Sequence, residues 1–568
     1  MSILPDSGRG DVFALPDRMP GKLRHVRHSC TVFGGLAGAG EVGADTLQAM
    51  ANLVPCGYPA LTTGNARLQY LAAPTTGAAH GLTLHRGKVV LAQGTGLFVS
   101  SGAGACTRLG NVTDTDKRFA SFGDLLFILP DGLVYNAADG SLRKFGLDTG
   151  DMENVSIDNV YLTVPTAGLQ TKGFRVGDCI RLDIQGDIKS AVLNGYYRIS
   201  ALTESYLCVE GGFPERGTFT ARVRRVMPDL EGLCAMGDRL YGFAGQSVYA
   251  CEAGNPWNWY WADAASPETA PFSLHTAGGS DFTACTVWQG YPIFFRADGI
   301  SRLMGRAHVA GGFLAATGVT LSEQSAPGIP AGQAATLCGL DGALYYCSGS
   351  DVYRYAGAAP ARVCDGLPAG LRGICAGTDG RGLYLSATES NGTRRLFLYC
   401  PGLGWYRLDP VSVTAALFCP DGTGAGQGDF CLLQRLDGYL FLTRSSGTAA
   451  TSGFMAATVP TPEATAEFGD ETALLPDGGR LLAVHLRACG RIGSSLKLYV
   501  RYDGESSWQL LGSVAGSGRE ELIRIPVPPR PCRWFRFRLN FSGSGAPGRP
   551  DGAFRVSGMW WDTEQGGA

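Results

Sequence analysis

Gly123-Asp124-Leu125-Leu126-Phe127-Ile128-Leu129-Pro130-Asp131-Gly132-Leu133-Val134-Tyr135-Asn136 reads as an apolar strand, a Pro-Asp-Gly turn and a second apolar strand ending in an aromatic. The phrase returns at Gly237–Ala250 (GDRLYGFAGQSVYA), and variants begin at Arg86, Gly290, Asp341, Gly382 and Asp429. Each pairs two apolar runs across a turn of Gly, Asp, Asn or Ser. One such hairpin cannot bury its own face. Repetition at a period of about 35–50 residues is the mark of a β-propeller, in which each unit packs on the next. Seven phrases predict six or seven blades, because a phrase need not carry a full four strands.

Composition fits many short strands. Gly is 82 of 568 residues, roughly twice the ~7% average, and hairpin turns consume glycine because they need φ > 0. Charged residues are 17% and apolar ones 45%, which excludes a disordered chain. A net charge of -2 sets no global demand for nucleic acid or an anionic membrane. The first residues lack a basic stretch followed by an apolar run, so no signal peptide is expected. No apolar run reaches the ~20 residues of a membrane helix. The 17 cysteines form no Cys-x-x-Cys pair and sit singly in apolar runs, as in Cys179, Cys208, Cys234, Cys285 and Cys431. They read as small core side chains.

The rhythm divides the chain. Residues 1–75, broken by Pro5, Pro16, Pro20, Pro55 and Pro59, read as an extended N-terminal arm, with one short helix over Asp45–Leu53. Arg18, Lys22, Arg24, His25, Arg27 and His28 make this arm basic: a solvated face, or a contact for an acidic partner surface or nucleic acid. Arg9-Gly10-Asp11 is a chance tripeptide. Residues 76–147 and 228–444 form the propeller. Residues 148–227 interrupt it with five alternating strands, a small inserted β-barrel or sandwich. Arg222, Arg224 and Arg225 read as the polar face of its last strand. Residues 445–479 form a linker, and 480–568 a C-terminal β-sandwich. There, Arg533–Leu539 alternates: Trp534, Arg536 and Arg538 on one face, Phe535, Phe537 and Leu539 on the other. The fold class is therefore all-β.

Chemistry is sparse. There is no Gly-x-Ser-x-Gly elbow, P-loop or His-Glu-x-x-His. The seven histidines lack ligand spacing, so no metal, cofactor or catalytic residue is assigned and the chain is not expected to be an enzyme. Asp131, Asp298, Asp341 and Asp437 all precede Gly in turns and serve the backbone. Tyr502–Trp508 faintly matches a sialidase Asp-box and reads as a hairpin. Trp257, Trp259, Tyr260 and Trp261 form an aromatic run that closes a blade by packing, meets a protein partner or stacks on a sugar. The candidate interface residues are these four with Arg24, Arg27, Trp534, Arg536 and Arg538.

Five phrases in order resemble tailed-bacteriophage virion proteins of the β-propeller kind. Arg225-Val226-Met227-Pro228, Gly237–Gly242 and Tyr249–Trp259 are similar to their N-R-L-W-G … I-Y-A-S … G-D-P-x-N-W phrase. Gly278–Thr283 with Pro292–Ile300 resembles the next stretch. Phe174–Asp178 with Leu193–Ile199 resembles their inserted module. Ala51-Asn52-Leu53, Tyr58–Leu61 and Arg67 resemble their arm, and Val500–Asp503, Ile525–Arg530 and Glu564–Gly566 their terminal sandwich. Cys251 and Glu252 stand where the family often has Ser and a small residue. The resemblance implies a structural component of the virion, a tail or neck hub made in the bacterial host cytoplasm. It implies portal, neck or tail rings and copies of itself as partners, proximity to packaged DNA, and no membrane insertion. The alternative is a carbohydrate-binding or glycan-processing propeller with a terminal binding module.

Overall fold

The computed structural model describes residues 24–37, 46–56, 60–63, 67–72, 77–100, 106–186, 191–263, 265–276, 278–309, 316–408, 412–420, 428–436, 439–444, 458–459, 464–469, 471–472, 479–543 and 553–565. Among them the elements are almost all strands, with a 3-10 turn at Ala334–Thr336. No described helix is long and apolar enough to cross a membrane.

Each of the seven phrases is the central hairpin of an antiparallel sheet. The second sheet is typical: Arg118–Phe122, Leu125–Leu129, Leu133–Asn136 and Leu142–Lys144 pair in sequence order. The first sheet runs from Ala79–His85 to Cys106–Asn111 and the third from Gly232–Met236 to Phe272–His275. The fourth runs from Phe282–Trp288 to Ala316–Ser325, the fifth from Cys338–Leu340 to Ala361–Arg362, and the sixth from Arg372–Thr378 to Gly404–Arg407. Turn chemistry sets these meanders. At Asp341 (φ 49°) and Gly342 (φ 69°) both central residues of a two-residue turn are left-handed, the conformation whose twist matches antiparallel strands.

The sheets stand in a propeller-like order. The first strands of the second, third and fourth sheets neighbour one another, as do those of the fifth, sixth and seventh, and the seventh meets the first. Apolar layers fill the gaps between sheets. Phe243, Phe282 and Phe294 lie between the third and fourth, and Ile293, Phe295 and Tyr346 between the fourth and fifth. Cys234, Cys285, Cys338 and Cys375 all lie in first strands, and all four are free. Burial pushes the Cys338 and Cys375 thiols up to about 12, so they stay protonated and unreactive.

Two expectations are corrected at the ends of the chain. The first 75 residues are no separate arm where they are described. Arg67–Ala72 pairs with Tyr439–Arg444 and so enters the seventh sheet, beside Ser412–Pro420 and Gly428–Leu436. Arg24–Cys30, Leu53–Cys56 and Ala60–Thr63 join one terminal sheet, built on Phe554–Gln565, Gly479–Gly490 and Glu520–Pro526. The helix expected over Asp45–Leu53 is instead strand Leu47–Ala51, which pairs with Ala464–Phe468 and buries Leu47 and Met50. An available sheet edge outweighs weak helical spacing. Ala464–Phe468 also corrects the linker, since it lies within residues 445–479. It belongs to the second terminal sheet with Trp534–Ser542, Ser495–Tyr502 and Gln509–Ala515. The two sheets close on Leu481, Leu486, Leu498, Phe537, Met559 and Trp561. Arg9–Asp11, Arg18, Lys22 and Asp437 lie outside the described residues.

Between the second and third sheets, residues 147–225 fold on their own core, which includes Val155, Ile180, Leu182, Ile199 and Val223. Gly217–Arg225 pairs with both Met152–Asp158 and Cys179–Gln185, so the strand order returns on itself.

Candidate functional site

The candidate residues fall in three places. The aromatic run lies between strands Ser247–Ala250 and Phe272–His275 of the third sheet. Asn258, fully buried, organises it. Its Nδ2 donates to Glu252 Oε2 (3.0 Å) and to the Trp261 carbonyl (2.7 Å), and its Oδ1 accepts from the Tyr260 and Trp261 amides (3.2 and 2.9 Å). Trp259 is buried, with its Nε1 donating to the Pro256 carbonyl (3.0 Å). The other rings meet the 147–225 unit. Trp257 stacks on Phe145 (5.2 Å) beneath the Arg225 guanidinium (4.5 Å). Tyr260 stacks on Tyr196 (4.4 Å, 11°), and Trp261 lies under Arg198 (5.7 Å).

Arg225 is therefore buried, not on a polar face, and its Nη1 donates to Asp178 Oδ1 and Oδ2 (2.9 and 2.8 Å). Its Nε and Nη2 donate to the carbonyls of Phe145 and Lys144 (2.8 and 3.2 Å). Burial raises the Asp178 carboxyl above its ordinary value and lowers the Arg225 guanidinium below its own. The hydrogen bonds hold the pair against that penalty. This region is a joint between two units of one chain, and Trp257, Tyr260 and Trp261 contribute to it.

The basic run has its acidic partner in the same chain. Arg24–Cys30 pairs along Phe554–Gln565, with Arg24 opposite Gln565 and Arg27 opposite Asp562. Arg27 forks onto Asp562 (2.7 and 3.0 Å), which also accepts from His485 Nε2 (2.9 Å). These bonds, Arg27's first, hold the Asp562 carboxyl down at about 2. His28 stacks on Trp561 (5.8 Å, 8°), and burial lowers its pKa.

The third place is the outer face of the second terminal sheet. Trp534, Arg536 and Arg538 alternate with buried Phe535, Phe537 and Leu539, as the period-2 pattern predicts. The neighbouring strand repeats the device: Leu496, Leu498 and Val500 face inward and Lys497, Tyr499 and Arg501 outward. Register brings the two outward sets together. Arg501 lies opposite Arg536, Tyr499 opposite Arg538, and Lys497 opposite Asn540. Trp508, at the end of the Tyr502–Trp508 turn, lies under Arg501 (5.1 Å) and Arg538 (5.9 Å). Arg538 Nε donates to Asn540 Oδ1 (2.9 Å) and lies 3.7 Å from Glu467 Oε1. Arg501 Nε is buried with no hydrogen-bond partner. Sequence reading found Trp534, Arg536 and Arg538 but not Lys497, Tyr499, Arg501 or Trp508. The alternation of 495–502 was a usable signal; the strand pairing was not.

The turn aspartates serve as latches. Asp131 Oδ1 accepts from the Thr113 amide (2.6 Å) and Asp298 Oδ1 from Ser280 Oγ (2.6 Å), each tying a turn to the loop before its sheet. Lys117 Nζ lies 2.7 Å from Asp131 Oδ2 in a buried pair. Among the described residues no three His, Cys, Asp or Glu side chains are grouped to hold a metal ion.

No family model matches the chain, and no curated protein matches it. Among solved structures it is similar to the computationally designed Ika8 protein, at 10% identity and TM-score 0.33, covering 66% of this chain and 99% of that one. It is similar to Hsv2 of Kluyvelomyces marxianus at 8% identity and TM-score 0.30, covering 63% and 89%. The β-propeller domain of Cps50 (Swd1) from Myceliophteria thermophila gives 8% identity and TM-score 0.28, covering 67% and 100%. At TM-scores of this size the strand pairings, not these likenesses, carry the fold.

Proposed function

We propose that this chain is a structural protein of a tailed-phage particle, a tail or neck hub. In this reading the seven sheets are the blades of one propeller, residues 147–225 are a small barrel inserted between blades, and the terminal sandwich closes the chain. It assembles with portal or tail rings and with copies of itself, and catalyses nothing.

One observation carries the reading. Two of the phrases that resemble virion proteins meet in one buried joint. Arg225, Asn255 and Trp257 come from the first, and Asp178 from the inserted-module phrase. Asp178 and Arg225 meet at 2.8 Å, Arg225 lies 4.5 Å over Trp257, and Asn255 Nδ2 donates to the Gly177 carbonyl (3.2 Å). Separate phrases that converge on a single packing problem support one shared architecture better than isolated matches do.

The test is the solution mass of the chain by light scattering, alone and mixed with portal and tail proteins of a tailed phage, with and without residues 1–23. Trimming stops there because Arg24–Cys30 belongs to a terminal sheet. A ring-sized oligomer, or a monomer that joins such a ring, supports the hub. A monomer indifferent to those proteins overturns it.

A further inference from the structure

We propose that the far edge of the fourth sheet joins two copies of this chain, with Val319–Ser325 pairing antiparallel to the same segment of a second copy. The hub reading calls for contacts between copies but names no surface, and this one stands or falls separately from it. Ala316–Ser325 is the outermost strand of its sheet. It pairs with Gly299–Val309 on one side and with no described strand on the other. At ten residues it is long for that place. The outermost strands of the first, second, third, fifth and sixth sheets have six, three, four, two and four. A short edge offers few free N–H and C=O groups, whereas a long one is a template for another strand. The hairpin bulges at Gly305 and Gly318 (φ 93° and 77°), so the flat part of the edge begins at Val319. Charge does not guard it. The strand has no Lys, Arg or Pro, and its one acid, Glu323, accepts from Arg296 Nη2 of the same sheet (2.8 Å). The seventh sheet already takes a strand at the matching place, where Thr458–Val459 pairs outside Arg67–Ala72.

The two faces of the strand select the partner. Val319 and Leu321 turn toward the core between the third and fourth sheets, so Thr320, Ser322 and Gln324 turn the other way. A two-fold axis perpendicular to the sheet keeps each face on its own side. Whatever the register, Thr320, Ser322 and Gln324 then meet the same three side chains of the copy. Hydroxyls and amides both donate and accept, so the set is complementary to itself. A foreign strand would have to match this pattern, and a second copy matches it by symmetry. The flank of the edge has the composition of an interface. Met304, opposite Thr320, is exposed. Arg302, opposite Ser322, lies over the rings of Trp288 and exposed Tyr291 (5.8 and 5.2 Å). Tyr, Met and Arg are the side chains enriched where proteins meet.

The full chain is tested by analytical ultracentrifugation and hydrogen exchange over a range of concentrations. It should sediment as a reversible dimer, and the amides of Val319–Ser325 should exchange faster on dilution. Thr320→Lys and Ser322→Lys, both at exposed positions, each set a cation on the shared face against the cation of the copy, and each should weaken the dimer about 10-fold or more. Ser513→Lys, on the open edge of the second terminal sheet, should leave it unchanged. If circular dichroism shows that both edge variants misfold, hydrogen exchange of the unaltered chain still decides. The inference is overturned if the chain is a monomer up to about 100 μM, if folded edge variants dimerise as well as the original, or if dilution changes exchange elsewhere but not at Val319–Ser325. A monomer that still joins a portal or tail ring overturns this inference and leaves the hub reading standing.

Discussion

The propeller-like sheets and the terminal sandwich are made of the same material, antiparallel strands with alternating burial, and they are assembled in opposite ways. The second sheet is complete within Arg118–Lys144 and the sixth within Arg372–Arg407. The sandwich takes strands from residues 24–63 and from 464–565, and its Arg27–Asp562 pair spans a separation of 535 residues. A sheet closed locally is specified by its turns. A sheet closed over the whole chain is specified only by the fit of its faces and charges, so damage to it should spread between the two ends of the sequence.

Removal of residues 554–565 is the strongest way to test that difference. It deletes the strand that pairs with Arg24–Cys30, Ala60–Thr63 and Gly479–Gly490. Residues 24–63 should lose protection from hydrogen exchange together with 479–543, while the second to fifth sheets keep theirs. If those sheets melt as well, the two regions are one cooperative unit and the contrast fails. Next come Phe294→Ala and Phe537→Ala, both at fully buried rings. Each should cost about 3–5 kcal/mol, but only Phe537→Ala should expose residues 24–30. Asp178→Ala strands the buried Arg225 and should cost about 3–5 kcal/mol by thermal or urea unfolding. Pairing it with Arg225→Met should restore most of the loss. If the double variant stays as unstable as the single one, the joint depends on more than its ion pair.

Acid should act on the sandwich first. Asp562 titrates near 2 in the fold against 3.8 without it. A depressed carboxyl contributes fully above the higher value and loses its contribution as pH falls toward the lower one. Between about pH 4 and 2, Arg24–Cys30 should detach, read as a change in Trp561 fluorescence. Arg27→Ala should move that transition to higher pH, and a transition that does not move would place its cause elsewhere. The smallest effect is expected at a latch. Ser280→Ala removes the bond to Asp298 in an exposed loop and should cost under about 1 kcal/mol, with no change in the sandwich.

The hairpins were legible because their information is local. Asp341-Gly342 prescribes its turn, and Phe535, Phe537 and Leu539 prescribe a buried face, wherever the partner strand comes from. The partner itself was not written in either place. Nothing near Arg67–Ala72 says that it completes a sheet with Tyr439–Arg444, and nothing near Leu47–Ala51 announces Ala464–Phe468, so a weak helical spacing looked adequate. At the candidate site the alternation placed Arg536 and Arg538 outward. Their meeting with Arg501 depends on a register that two separate alternating strands leave open. Trp257 and Arg225 were each conspicuous. That they belong to one joint follows only from the packing of one unit on another.

The pairing of Arg24–Cys30 with Phe554–Gln565 also orders events in time. At about 5–20 residues per second on the ribosome, the 535 residues between Arg27 and Asp562 take about 0.5–2 min to synthesise. The first strand must wait that long for its neighbour, and its arginines and histidines are what an unpaired edge needs to avoid wrong partners meanwhile. A chain cut short by premature termination would leave that strand open. Closure of the sandwich thus acts as a timer, because Arg24–Cys30 finds its neighbour only after Phe554–Gln565 has left the ribosome.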